Sequence, residues 1–433
     1  MLKNNFWLTE LFNFNNEAAK GRTFILISAV FSSIITALTS GIFYTGFLLV
    51  NNINIVEIGI IGFIPFFANI FAVFSPLILE RFKKRKIILA FSRITFYILN
   101  ILGVTFVPFL NVEKSTKILI FIFVIFIANV INALFSSGYT VWHVNFLPEN
   151  VRANYFSVMQ IISASINGIV ILTSSIIADA LKQSGQEMLI MTFLRLLAFC
   201  FAIFDVFILT RPKEYTYLKT KETKLKNVIA LPVKNKKFLF TMILVFAYTF
   251  TMQIITSPLD VYVVSQAKVS YTMINLINAL FGLFLFLFAG FYKKLINKIS
   301  WFKTFALTLF LNAPLFLFYS FLNVENQFWL FPTVRLLQHI LGVGTNLAYS
   351  NFYLINLPKE DQTNYLSFYL IIQNLGSFLG LMSGTIYVAA TKNLNINIFG
   401  FDFCNVQTLI WIAALLYFIV GTISFKWSNK LLS

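Results

Sequence analysis

Twelve runs of mainly apolar residues, each about as long as a bilayer-spanning helix and separated by short polar segments, set the pattern of this chain. Crossing a hydrocarbon core of ~30 Å takes about 20 apolar residues wound as a helix, and the helix satisfies backbone groups where no water can. The runs predict spans at 23–50, 57–79, 87–110, 117–145, 155–178 and 188–209, then at 238–263, 270–292, 301–321, 328–352, 363–390 and 406–425. The predicted fold class is all-α integral membrane, with twelve transmembrane helices in two pseudo-symmetric six-helix bundles. Residues 1–209 are read as an N-terminal bundle, 210–237 as a basic cytoplasmic linker and 238–433 as a C-terminal bundle.

The division into halves rests on a repeat at an offset of 210 residues. Tyr139, Leu147-Pro148, Asn154-Tyr155, Ser157 and Ile161-Ile162 recur as Tyr349, Leu357-Pro358, Asn364-Tyr365, Ser367 and Ile371-Ile372, and Lys83-Lys84 recur as Lys293-Lys294. Identities clustering at one offset on equivalent helix ends point to duplication.

Polar residues recurring at helical spacing inside a span need a bundle interior or a watery cavity to face. The fourth span carries Asn129, Asn132, Ser136, Tyr139 and His143. The tenth carries Arg335, then His339, Gly342, Asn346, Tyr349 and Tyr353, the last five each 210 residues after their counterparts. Weaker stripes run along the first span (Ser32, Thr36, Thr39) and the seventh (Thr249, Gln253, Thr256, Asp260). Interhelical hydrogen bonding explains any one Ser or Thr; the four stripes together predict a cavity. Gly376, Gly380 and Gly384 make a small-residue ridge on the eleventh span, whose simplest meaning is close helix packing.

Composition agrees: 58% of residues are hydrophobic, 11% are charged and mean hydropathy is +0.81, which excludes an ordinary soluble domain. The net charge of +17 would suit nucleic acid, but its distribution gives another reading. With the N-terminus inside, 25 Lys and Arg fall in inner segments against 5 in outer loops, so the surplus orients the chain with both termini cytoplasmic and suits anionic headgroups. Nucleic acid is not expected as a partner. No removable signal peptide is expected at the N-terminus, and Cys200 and Cys404 form no disulfide or metal framework. No cofactor and no metal are expected.

Two six-helix halves, a long central loop and a basic loop between the second and third spans together resemble the major facilitator superfamily of secondary transporters. The loop Pro76-Leu77-Ile78-Leu79-Glu80-Arg81-Phe82-Lys83-Lys84-Arg85-Lys86 resembles the family's signature, with Glu80 standing for its helix-ending aspartate and Arg81 for its arginine. Pro148-Glu149 with Arg152 is similar to the family's second inner loop, and Arg335-Leu336-Leu337-Gln338 places an arginine motif on the tenth span where the family has it on the fourth. The resemblance implies alternating access around a central site lined largely by spans 1, 4, 7 and 10. It makes Glu80, Arg81 and Arg152 candidate gating residues.

Charges within spans are costly unless paired or hydrated. Arg335 is expected to bind an anionic group of the substrate, to pair with Asp260 as an outer gate, or to snorkel to the interface. Arg195 and Arg93 are expected to snorkel or to make structural pairs, and Asp205 to be neutralised by Arg211. No carboxylate is placed at mid-depth, leaving His339 as the titratable group of the stripe. The candidate substrate-binding set is Asn129, Asn132, Ser136, Tyr139, Gln253, Arg335, His339, Asn346 and Tyr349; the candidate gates are Glu80, Arg81, Arg152 and Asp260.

The expected function is secondary transport of a small polar solute across a bacterial cytoplasmic membrane, by a lipid-embedded monomer that is not an enzyme. Two alternatives stand beside it: a non-transporting sensor or channel-like protein on the same fold, and a membrane-embedded transferase. The latter would need a catalytic cluster near an interface, and the chain holds only His143 and His339, on spans of different halves.

Overall fold

The computed structural model describes residues 14, 16–79, 81–144, 149–214, 225–352, 356–358, 362–398 and 400–432. The first span runs over Glu17–Thr39 and Gly41–Val50. It breaks at Ser40, where Gly41 takes φ 58°, a left-handed conformation that glycine adopts without a Cβ penalty. The second span is Ile55–Asn69, a 3₁₀ turn Ile70–Phe74 and Ser75–Leu79. The third is Lys86–Tyr97, a π turn Ile98–Gly103, and Val104–Phe106 leading into the 3₁₀ turn Val107–Phe109. Lys114–Val144, Glu149–Gln183 and Glu187–Leu209 complete the first six.

A short helix, Leu225–Lys234, precedes the seventh span, Lys236–Val261, which ends in a second π turn, Tyr262–Gln266. Tyr271–Ile299, Trp301–Tyr319, Gln327–Tyr349, Gln362–Ala390 and Asn405–Leu432 follow. Between the last two lies an antiparallel hairpin of Asn395–Ile398 with Phe401–Cys404, an element not expected from the apolar pattern. Phe403 seats it on Trp411 and Phe321 at ring distances of 5.0 and 5.1 Å. Eleven of the twelve spans are long and apolar enough to cross a membrane by length and composition. The tenth matches them in length and is set apart by its polar stripe.

Local chemistry starts several spans. Asn54 accepts hydrogen bonds from the backbone of Val56 and Glu57, while Glu57 accepts one from the Asn54 N–H at 2.7 Å, a reciprocal cap for the second span. The Glu214 carboxylate accepts from the backbone N–H groups of Arg85 and Lys86 at the start of the third, satisfying orphan donors with a negative charge at the positive helix end.

The described chain falls into two compact units, Met1–Asn51 with Phe71–Glu222, and Asn52–Ile70 with Thr223–Ser433. The first has a core of Ile25, Leu79, Leu89, Trp142, Tyr155 and Leu209, and Gly138 lies so close to Leu79 and Leu89 that a Cβ would collide. In the second, the glycine ridge of the eleventh span lies on the backbone of the seventh: Gly376 meets Phe246, Gly380 meets Phe250 and Gly384 meets Ile254. Residues 52–70 belong to this unit through the eleventh span, with Gly59 under Thr385 and Phe63 edge-on to Phe378 at 5.2 Å.

The repeat carries a repeated contact. Tyr155 donates its hydroxyl to the Arg22 carbonyl at 3.1 Å, and its counterpart Tyr365 donates to the Leu231 carbonyl at 3.3 Å. Tyr155 thereby ties the fifth span to the start of the first, and Tyr365 ties the eleventh span to the short helix that precedes the seventh.

Candidate functional site

Each unit contains a polar cavity. The larger, about 630 Å³, lies in the second unit. The tenth span supplies Arg335, Gln338, His339, Gly342, Thr345, Asn346 and Tyr349 to it, and the seventh supplies Tyr248, Thr249, Met252 and Gln253. Helical spacing of three and four puts the tenth-span set on one face. Phe281, Asn312, Gln373, Asn374 and Tyr417 come from the eighth, ninth, eleventh and twelfth spans. Phe316 and Tyr417 stack at 4.8 Å, and Tyr248 lies 4.8 Å from Tyr349, so aromatic faces border the amides.

Arg335 is held by neutral groups: Nη1 donates to Gln338 Oε1 at 3.1 Å and Nη2 to Asn278 Oδ1 at 3.3 Å. Asp260 is within electrostatic range of the guanidinium, but the two make no ion pair among the described residues. Neither a closed Arg335–Asp260 gate nor a snorkelling arginine is present in this conformation. His339 lies against Phe281 at 5.4 Å, and its Nε2 has no hydrogen-bond partner. Tyr349 faces Tyr369 and Gln373.

The smaller cavity, about 370 Å³, lies in the first unit, where Ser32, Thr36 and Thr39 of the first span meet Asn132 and Tyr139 of the fourth and Arg93, Tyr97 and Asn100 of the third. Arg93 is not free. Its Nε donates to Asp205 Oδ2 at 2.6 Å, and the fully buried carboxylate also accepts from Tyr97 Oη at 2.8 Å and Ser28 Oγ at 2.6 Å. The expected Asp205–Arg211 pair is replaced by this one; Arg211 instead stacks over Phe207 at 4.0 Å.

Arg195 does not snorkel; it is 2% exposed. Its guanidinium donates to Thr105 Oγ1 and to the carbonyls of Asn100 and Ile101, and lies over Phe47 at 4.8 Å. Asn100 and Ile101 lie in the π turn Ile98–Gly103, so Arg195 binds the stretch where backbone pairing departs from the α-helical pattern.

Of the sequence-derived site residues, Gln253, Arg335, His339, Asn346 and Tyr349 line the larger cavity, and Asn132 and Tyr139 the smaller. Asn129 and Ser136 line neither: Asn129 donates to the Ile125 carbonyl and Ser136 to that of Ala133, each within its own helix. Thr36, Thr39, Thr249 and Thr256 likewise donate to carbonyls of their own helix rather than to neighbouring spans. Arg81 is exposed. Glu80 and the side chains of Arg152 and His143 lie outside the described residues, as do Pro148 and Tyr353. Tyr248, Phe281, Gln338, Gln373 and Tyr417 were missed as lining. Gln338, three residues after Arg335, and Gln373, beside Asn374, had a polar signal; the aromatics had none in a chain with 53 Phe and 17 Tyr. Among the described residues no group of three or more His, Cys, Asp or Glu is placed to hold a metal ion.

Among the described residues, eleven helices long and apolar enough to cross a membrane and a polar cavity in each unit mark a multi-pass membrane protein. A sequence profile of the Major Facilitator Superfamily matches residues 25–381, and the chain belongs to that family, one of transporters rather than enzymes. Among solved structures, a point mutant of the nucleoside transporter NupG is similar with a TM-score of 0.73 at 12% identity, over 94% of this chain and 99% of that one. A bacterial homologue of the iron transporter ferroportin, in an inward-facing state, gives 0.69 at 13% identity over 94% and 98%. A D-xylose-proton symporter gives 0.63 at 12% over 95% and 98%. These likenesses show the shared fold. No curated protein sequence matches the chain.

Proposed function

We propose that this secondary transporter moves a small polar solute by alternating access, as a monomer in a bacterial cytoplasmic membrane with both termini inside. The observation that carries the reading is the larger cavity, where a cation, amides and aromatic faces converge in a volume within the range of small-molecule sites. The 25-to-5 bias of basic residues supports the orientation. The halves that exchange access are 1–209 and 238–433, joined by 210–237, and in this reading the contact of residues 52–70 with the seventh and eleventh spans must release during the cycle. The candidate gates Glu80, Arg81, Arg152 and Asp260 belong to the same proposal.

The test is counterflow in proteoliposomes, loading each of a panel of sugars, nucleosides, amino acids and organic anions and following uptake of the same labelled solute. Saturable uptake that exceeds its equilibrium level identifies a carrier. Flux that never saturates favours a channel, and specific binding with no flux favours a sensor.

A further inference from the structure

We infer that the larger cavity takes an organic acid carried on a planar aromatic ring, with its carboxylate on Arg335 and Gln338; this narrows the solute of the carrier reading and rests on it. Three observations support the inference. First, the two cavity-lining arginines differ: Arg93 is ion-paired with buried Asp205, whereas Arg335 is held by two amide oxygens. Asp260 tempers the field at Arg335 but neither touches it nor lines the cavity. A cation in a span without a contacting counter-ion gains from an arriving anion.

Second, Gln338 is 7% exposed, lines the cavity, and has an Nε2 with no hydrogen-bond partner. Its Oε1 is already engaged by Arg335, so the spare amide donor is fixed beside the guanidinium. Adjacent donors suit the two oxygens of one carboxylate, and a buried donor left unpaired is costly until something fills it. Third, the cavity lining is rich in aromatic side chains, with Tyr248, Phe281, Phe316, Tyr349 and Tyr417 among the residues that border it. Such a lining favours a ring, which can pack edge-on or offset against these side chains, over a short aliphatic chain.

The experiment is isothermal titration of the purified full chain with benzoate, nicotinate and indole-3-acetate, each compared with its carboxamide, and with acetate. At least one aryl acid is expected to bind ten or more times tighter than both its amide and acetate. Arg335→Gln should abolish that preference, and Gln338→Leu should weaken acid binding several-fold. Size-exclusion profile and Tm establish that each variant is folded; if Arg335→Gln does not fold, Arg335→Lys, which keeps the charge and loses the fork, is expected to reduce the preference. The inference is overturned if no aryl acid binds, if amides or acetate bind as tightly, or if the preference survives loss of the guanidinium. Saturable counterflow of a neutral sugar or nucleoside that persists in Arg335→Gln would sink it while leaving the carrier intact. Failure of every solute to show saturable flux would instead remove the carrier reading.

Discussion

Asp205 has no exposed surface and accepts hydrogen bonds from Arg93, Tyr97 and Ser28, so its charge is stabilised only while that cage is complete. Removing one partner of a buried ion pair leaves an uncompensated charge and typically costs about 3–5 kcal/mol, whereas replacing both ions can be nearly neutral. Arg93→Met is therefore expected to lower the Tm of the detergent-solubilised protein markedly, and Arg93→Met with Asp205→Asn to recover part of the loss. Equal losses in the single and double variants would show that the pair is not the source. The sequence hid this pair because Arg93 is 112 residues from Asp205, while Arg211, six residues on, offered a local partner. Cavity residues were more legible where one helix concentrates them, as Arg335, His339, Asn346 and Tyr349 do, than where Tyr248, Phe281 and Tyr417 each arrive from a different span. Asn129 misled because it shares the stripe's spacing yet donates to its own helix.

Apolar run length set the twelve spans, because bilayer thickness imposes it, but it left no trace of the departures from α-helical pairing. The π turn Ile98–Gly103 contains no proline, and Arg195 binds the carbonyls of Asn100 and Ile101 within it. Lysine carries the same charge without the planar fork. Arg195→Lys is expected to destabilise the first unit by about 1–3 kcal/mol, the scale of losing hydrogen bonds to a charged donor, measured as a fall in Tm; an unchanged Tm would show that the turn holds without it. The glycine ridge of the eleventh span was legible as a packing surface, and its partner, the seventh-span backbone, was not. A side chain at Gly380 would meet the backbone of Phe250, which cannot rotate away. Gly380→Val should abolish the folded fraction in size-exclusion chromatography, while Gly282→Ala, at a helical position with open space around it, should be tolerated or stabilising by roughly 0.5–1 kcal/mol. Equal yields of the two variants would contradict the packing argument.

At the scale of the whole molecule, duplication was readable because it repeats identities at one offset, and the repeated Tyr155 and Tyr365 bonds give those identities a physical role. The grouping of residues 52–70 with the second unit was not readable, since it depends on contacts far apart in sequence. If access alternates, that grouping belongs to one state and must be undone in another. Gly62 and Ser257 offer a way to hold it: a Cβ built on Gly62 would lie 4.0 Å from that of Ser257, within the separation of about 3.5–4.5 Å that a disulfide spans. With Cys200→Ser and Cys404→Ser as background, Gly62→Cys combined with Ser257→Cys is expected to cross-link under mild oxidant. Counterflow of a transported solute should then fall to the level of empty liposomes and return on reduction, while either single cysteine should leave oxidant without effect. Substrate binding to the oxidised form separates a trapped carrier from a damaged one, because a locked state retains its cavity and only loses the means to exchange its access. Full flux through a quantitatively cross-linked protein would mean that residues 52–70 and the seventh span stay together throughout the cycle, and the moving bodies would then have to be divided along the compact units rather than at the linker.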